Sequence, residues 1–264
     1  MAKIIMRLAG IAATLIATVI AQPAPAQDNS SKVVHILSGG AAQSLIQELA
    51  PKFKADTGWS IVGQYGAVGA MANKLRSGES ADLVVLTTSV LDQLAKESLL
   101  QPGEFRNVGL VETAVALRAN DPPLRIDSAD SLRKAFLGAD EIFLPDTKAS
   151  TAGIHLAKVL DQLNIADKVK SKIREFPGGA IAMKNLAAST APHAIGATQT
   201  TEIVSTPGLR LVGTLPKGFE LSSMYAAAVP ARAVNGPAAR MLIDLLSAGA
   251  QRSLREGKGF VESR

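Results

Sequence analysis

No cysteine occurs in this 264-residue chain, and aromatic residues make up only 4% of it. The first absence excludes disulfides, so the hydrophobic core carries stability unaided. The scarcity of aromatics, with basic residues scattered rather than clustered, excludes the usual nucleic-acid surface. The formal charge of +5 falls to +3 without Lys3 and Arg7 (5 − 2), a mild excess that points to no polyanionic partner. Beyond the N-terminal segment no apolar run reaches membrane length.

Catalytic signatures are equally sparse. There is no cysteine nucleophile and no G-x-S-x-G elbow. Ser131-Leu132-Arg133-Lys134 matches S-x-x-K, but neither S-D-N nor K-T-G accompanies it, and it falls on a helical face. His35, His155 and His193 lie far apart, none at metal-ligand spacing with another His, Asp or Glu. No P-loop and no G-x-G-x-x-G is found, and Gly66-x-x-Gly69 alone is weak. The expectation is a binding protein rather than an enzyme, with no cofactor and no metal.

What is present begins with an export signal. Lys3 and Arg7 precede an apolar stretch, Leu8 to Ile20, that is too short to span a bilayer. Ala24-Pro25-Ala26 fits the small-x-small rule for cleavage before Gln27. Residues 1–26 are read as a removable signal without a lipobox cysteine, which predicts a soluble, free periplasmic protein. About 238 residues then remain (264 − 26), enough for one large or two smaller domains.

Those residues alternate short β-like runs with amphipathic helical stretches, the pattern of an α/β fold with mainly parallel sheets. Val33 to Leu37 reads as a strand, stopped by Ser38-Gly39-Gly40. A helix follows with Ala42, Leu45, Ile46, Leu49 and Phe53 on one face, a kink expected at Pro51 and a stop at Thr57-Gly58. Ser60 to Tyr65 and Asp82 to Leu86 read as the next strands, and Thr87-Thr88-Ser89 as a helix cap. Extended Asn107 to Arg118 opens a second set, with strands at Glu141 to Leu144 and from Ala194. A last strand, Met224 to Val229, precedes a helix on Ala238, Met241, Leu242 and Leu245 and a basic tail. Crossings near 110–116 and 220–226 divide the chain into a first lobe (27–113), a second lobe (114–223) and a return to the first (224–264).

Five helix starts stand behind small residues: Gly39-Gly40-Ala41, Gly66 to Gly69, Thr87-Thr88, Ser150 to Gly153 and Gly178-Gly179. A helix N-terminus leaves unpaired N–H groups and about half a positive charge, and so attracts anions. In open α/β sheets ligands sit beyond the carboxyl ends of the strands, where these loops fall. Spread over two lobes, the five predict a cleft that binds a small anion.

The stretch HILSGGAAQSLIQELAPKFKADTGWSIVGQYGAVGAMANKLRSGESADLVVLTTS, continued by STAGIHLAKVL and SMYAAAVP, resembles the periplasmic molybdate-binding proteins and related type II solute-binding proteins. The resemblance covers essentially all of the chain after the signal. It implies an α/β, two-lobed type II periplasmic-binding-protein fold, each lobe a mainly parallel sheet flanked by helices, joined by two hinge crossings. It further implies a monomer that closes on its ligand and delivers it to the membrane permease of an ABC importer. A sensory protein presenting the anion to a membrane sensor kinase is the alternative. An exported enzyme and a transcription-factor effector domain rank lower.

The helix starts and the resemblance together place a ligand pocket at Ser38, Gly39, Gly40, Ala41, Ala67, Val68, Thr87, Thr151, Ala152, Gly196, Thr198 and Tyr225. The family's two pocket serines fall at about Ala41 and at Ala67-Val68, so both hydroxyls are missing. Ala152 and the stretch Gly196 to Thr198 match backbone donors, and Tyr225 matches the family's tyrosine. A hydrogen bond to a charged partner is worth about 1.5–3 kcal/mol. Two lost donors therefore weaken molybdate binding by orders of magnitude unless Ser38, Thr87, Thr151 or Lys148 compensates. Another anion, such as a small organic acid, is the expected ligand.

Overall fold

The computed structural model describes residues 32–103 and 105–261, so the export signal read from residues 1–26 lies outside the described residues. The first half runs β1 (Val33–Gly39), a 3-10 turn (Gly40–Ala42), α1 (Gln43–Thr57), β2 (Ser60–Gly66), α2 (Val68–Arg76), β3 (Leu83–Thr87) and α3 (Thr88–Lys96). The long strand β4 (Arg106–Arg118) leads to α4 (Ala129–Gly138), β5 (Glu141–Pro145), α5 (Thr151–Gln162), α6 (Ala166–Val169), β6 (Ile173–Phe176) and α7 (Gly179–Ala188). Then come β7 (Ala194–Gln199), α8 (Thr200–Val204), β8 (Leu209–Thr214), β9 (Ser222–Ala228), α9 (Gly236–Ser247) and α10 (Arg252–Gly257).

Local chemistry accounts for many of these boundaries. Leu45, Ile46, Leu49 and Phe53 recur at helical spacing and are all buried, fixing α1 against the sheet. Each such side chain contributes about 1.5–3 kcal/mol on burial. Pro51 lies inside α1 without ending it; the stop is Gly58, whose φ of +75° suits glycine. Ser128 opens α4 with a capping box shared with Ser131. Ser150 rather than Thr151 caps α5, its Oγ accepting from the Gly153 N–H at 3.4 Å.

The strands form one mixed sheet in the order β2-β1-β3-β9-β4-β7-β5-β6, with β8 also on β4. Pairing is parallel for β1 with β2 and β3, and for β5 with β6 and β7. It is antiparallel in the middle, where β9 joins β3 to β4 and β4 joins β7 and β8. Strand β4 serves both halves. Its residues Arg106–Glu112 pair with β9, and Thr113 onward pairs with β7. The largest core cluster draws on residues 34–111 and 225–260, and the two others on residues 114–215.

Several expectations need correction. Strand β1 continues through Ser38 to Gly39 instead of stopping at Leu37. Thr87 stands at the N-cap of α3 without capping it, its Oγ1 lying 3.3 Å from Ser89 Oγ. The short strands β6 and β8 escape the sequence reading. The C-terminal basic tail folds as α10, after which Val261 bonds both ways with Leu110 of β4 at 2.8 and 3.0 Å. Among the described residues no helix is long and apolar enough to cross a membrane.

Candidate functional site

The carboxyl ends of β1 and β2 come up against those of β5, β6 and β7, so the glycine-bearing loops of both halves meet along one seam. The Gly69 N–H, in the first turn of α2, donates to the Ala149 carbonyl just before α5, at 3.0 Å. Ala149 is itself oriented by Asp146, whose Oδ1 accepts from the N–H groups of Lys148 and Ala149 at 2.7 and 2.9 Å. A methyl group on Gly178 would lie 3.6 Å from the Ala67 nitrogen, and Gly40 packs directly on the carboxyl of Glu202. The seam is closed at backbone range.

Two buried polar side chains dominate it. Tyr225 of β9 is 1% exposed and lays its ring on Gly39, where an added methyl would be 2.8 Å from Cε1. Its hydroxyl donates to Gln199 Oε1 at 2.9 Å. Burial, reinforced by the charge of Glu202, pushes the phenol well above its ordinary range. Glu202, 7% exposed in the first turn of α8, accepts the Thr198 Oγ1 proton at 2.5 Å. Burial raises its pKa, while the Thr198 hydroxyl and the backbone amides of Gln199 and Ala180 pull it down. Gly179 is required at the start of α7, because a Cβ there would run into both the Glu202 carboxyl and the Thr198 hydroxyl.

Of the candidate pocket residues, Gly39, Gly40, Ala67, Val68, Thr198 and Tyr225 gather at this seam. Ser38 ends buried in β1 with its hydroxyl donating to the Gly39 carbonyl at 2.9 Å. Ala41 is buried in the 3-10 turn and packs into the first core. Thr87 is buried beside Tyr225 in the β3–β9 ladder. Thr151 opens α5, and Ala152 packs into the second core. Gly196 sits inside β7 between β4 and β5, its open side filled by Met183 and Leu186 of α7. The Gly178-Gly179 turn, one of the five helix starts read from the sequence, lies at the seam, whereas Gln199 and Glu202 belong to it but were absent from the expected pocket. The signal for those two was the polar run Thr198-Gln199-Thr200 at the end of an apolar strand.

Beside Glu202 the seam opens into a groove of about 260 Å³ lined by Gly40, Gln43, Gln47, Ala180, Lys184 and Thr201. A larger, mainly apolar cavity of about 450 Å³ lies elsewhere, between Leu117, Pro123, Leu124, Ala135 and Ile195. Polar side chains at its rim already have partners, Lys134 with Asp130 at 2.7 Å and His193 with Asp140 at 3.0 Å. It lacks the convergent polar groups of the seam. Among the described residues no cluster of three or more His, Cys, Asp or Glu side chains is placed to hold a metal ion.

The chain is similar in structure to a periplasmic molybdate-binding protein of Azotobacter vinelandii, with a TM-score of 0.73 at 15% identity over 88% of this chain and all of the other. A sulfate-binding protein of Mycobacterium tuberculosis superposes with a TM-score of 0.69 at 16% identity, covering 87% of this chain and 86% of the other. At such identities the likeness is one of fold. In sequence, an aconitate isomerase of a Pseudomonas species is 25% identical over 221 residues, which is 80% of this chain and 81% of that protein. The family model of bacterial extracellular solute-binding proteins matches residues 34–261. With nearly all the described residues inside that match, this chain belongs to the bacterial extracellular solute-binding proteins.

Proposed function

We propose that this protein is a periplasmic substrate-binding protein of an ABC importer, which closes two lobes around a small anion. The lobes divide near residues 113 and 223, with β4 as one crossing and the segment between β8 and β9 as the other. The observation that carries the reading is the seam itself, where Gly69 bonds Ala149 and Gly40 meets Glu202. The starts of α1, α2, α5 and α7 converge there, and their N–H groups and dipoles favour negative charge. A ligand touching both sides at once selects the closed arrangement, and a permease can then recognise it. The solved relatives named for molybdate and sulfate binding agree with a small anion.

A thermal-shift screen of oxyanions and small carboxylates tests this. A ligand present at about 100 times its Kd adds about 2.7 kcal/mol of stability. At least one anion should raise Tm, and replacing Tyr225 with Phe should reduce the rise. No shift with any anion removes the reading.

A second reading is favoured by one relative and one side chain. The Pseudomonas relative is named for isomerising aconitate, an unsaturated polycarboxylate. Glu202, a carboxyl buried at the seam with its pKa raised, is suited to taking a proton from one carbon of such a ligand and returning one to another. Incubating the protein with cis- or trans-aconitate and following the alkene protons by NMR separates the readings: interconversion supports the isomerase, and binding without it supports the carrier.

A further inference from the structure

Three hydroxyl groups at the heart of the seam have given their protons to the protein. Ser38 donates to the Gly39 carbonyl at 2.9 Å, Thr198 to Glu202 Oε2 at 2.5 Å, and Tyr225 to Gln199 Oε1 at 2.9 Å. A tetrahedral dianion depends on just such donors to replace its hydration shell. It would also have to lie beside the Glu202 carboxyl, which fills the space between Gly40 and Gly179 and takes the Thr198 proton. An ionised carboxylate there repels a dianion across a site with little water to screen it. A protonated one still offers a single donor in place of several.

We infer that Glu202 sets ligand selectivity, rejecting tetrahedral dianions such as molybdate and sulfate in favour of carboxylic acids, with which a carboxyl can share a proton. The inference rests on the proposed anion-binding role and deepens it. A hydroxy acid suits the site further, because its hydroxyl can donate to the acceptors that the protein leaves at the seam. The adjoining groove offers such a ligand polar walls. Thr201, almost fully buried, lines it, and its Oγ1 has no hydrogen-bond partner. Ser44 Oγ on the facing wall is likewise buried and unpartnered.

Selectivity of this kind depends on pH through Glu202. The titratable groups that face it are Tyr225 from β9 and Lys184 from α7, the latter across the groove. The first turn of α1 and the turn before it present Gly40, Gln43 and Ser44, and β7 presents Thr198 and Gln199, none of them ionisable.

The test is calorimetric titration of the wild type and Glu202→Gln with malate, citrate, sulfate and molybdate, from about pH 5 to about pH 8. Taking the ratio of the two affinities at each pH cancels the ligand's own titration. The wild type should prefer carboxylates, and the variant should gain about tenfold or more on sulfate and molybdate, the gain growing with pH. A ratio that is flat with pH, with selectivity unchanged, overturns the inference while leaving the anion-binding role intact. Failure of the wild type to bind any anion overturns that role and the inference with it. The wild type alone supplies a second measure if the variant does not fold. Malate binding should take up protons at some pH between about 5 and 8, seen as a dependence on buffer ionisation enthalpy, and no uptake at any of them counts against Glu202.

Discussion

Asp82, buried at the threshold of β3, holds three pieces of chain together. Its carboxylate accepts from the His35 N–H at 2.9 Å and the Asn235 N–H at 2.7 Å, tying β1 and the start of α9 to β3. Removing it strands two backbone donors, at about 1–3 kcal/mol each. Asp82→Ala should therefore lower unfolding free energy by about 2–4 kcal/mol in chemical denaturation, with Asp82→Asn intermediate. Glu202 acts in the opposite direction. Its pKa is higher in the fold than the ordinary 4.5, so its proton is held more tightly there than in the unfolded chain. That contribution is complete below 4.5 and is lost as pH rises through the higher folded value. Glu202→Gln escapes the loss, so the Tm difference between variant and wild type should move in the variant's favour as pH climbs above 4.5. A difference that stays flat or moves the other way would refute this. Gly39 and Gly40 were legible in the sequence because two glycines between a strand and a helix are conspicuous, and Tyr225 because the resemblance carried the family's tyrosine onto it. Glu202 was not, because an acidic residue after a polar triplet reads as a solvated helix start. Its burial comes from Gly40, on the far side of the seam.

Strand β4 is the element on which the architecture turns. It pairs with β9 in its first half and with β7 and β8 in its second, with register shifts at Asn107/Gly109 and at Val115/Ala116. The first irregularity makes room for Phe260, whose ring lies on Gly109 so closely that an added methyl would be 2.8 Å from Cδ1. Phe260 is almost fully buried, and the next residue bridges to Leu110. Phe260→Ala should cost about 3–5 kcal/mol, measured by denaturant unfolding, as for other buried phenylalanines. It should also release the C-terminal segment from β4, read as faster amide exchange at Leu110. Most elements could be read from the chain because apolar runs and helical spacing mark them, as in Leu83–Leu86 and α1. Strand β8 could not be, since none of its residues is fully buried and only its pairing with β4 makes it a strand. The antiparallel middle of the sheet was equally hidden. It is set by where the chain returns through β9, which periodicity does not encode.

At the scale of the whole molecule, two sets of cores share one sheet and meet again at a seam. Gly69 stands where a side chain would press on that seam, an added methyl lying 2.9 Å from the Ala149 oxygen. Gly69→Ala should wedge the halves apart without touching either core. Small-angle scattering should then give a larger radius of gyration and a weaker compaction on adding ligand, with the denaturation midpoint nearly unchanged; a radius equal to the wild type's would count against the proposed closure. The alternation of strands and helices made the α/β plan visible in advance, but the closeness of the strand ends across the seam depends on glycines opposing main chain and could not be seen from either side alone. The bond from Gly69 to Ala149 has one more consequence. Because it is made by an amide and a carbonyl, every side chain of the pocket can be exchanged without removing it. Under the proposed function, a lineage changes its cargo through the residues around Glu202 while presenting the same shut outline to its membrane partner.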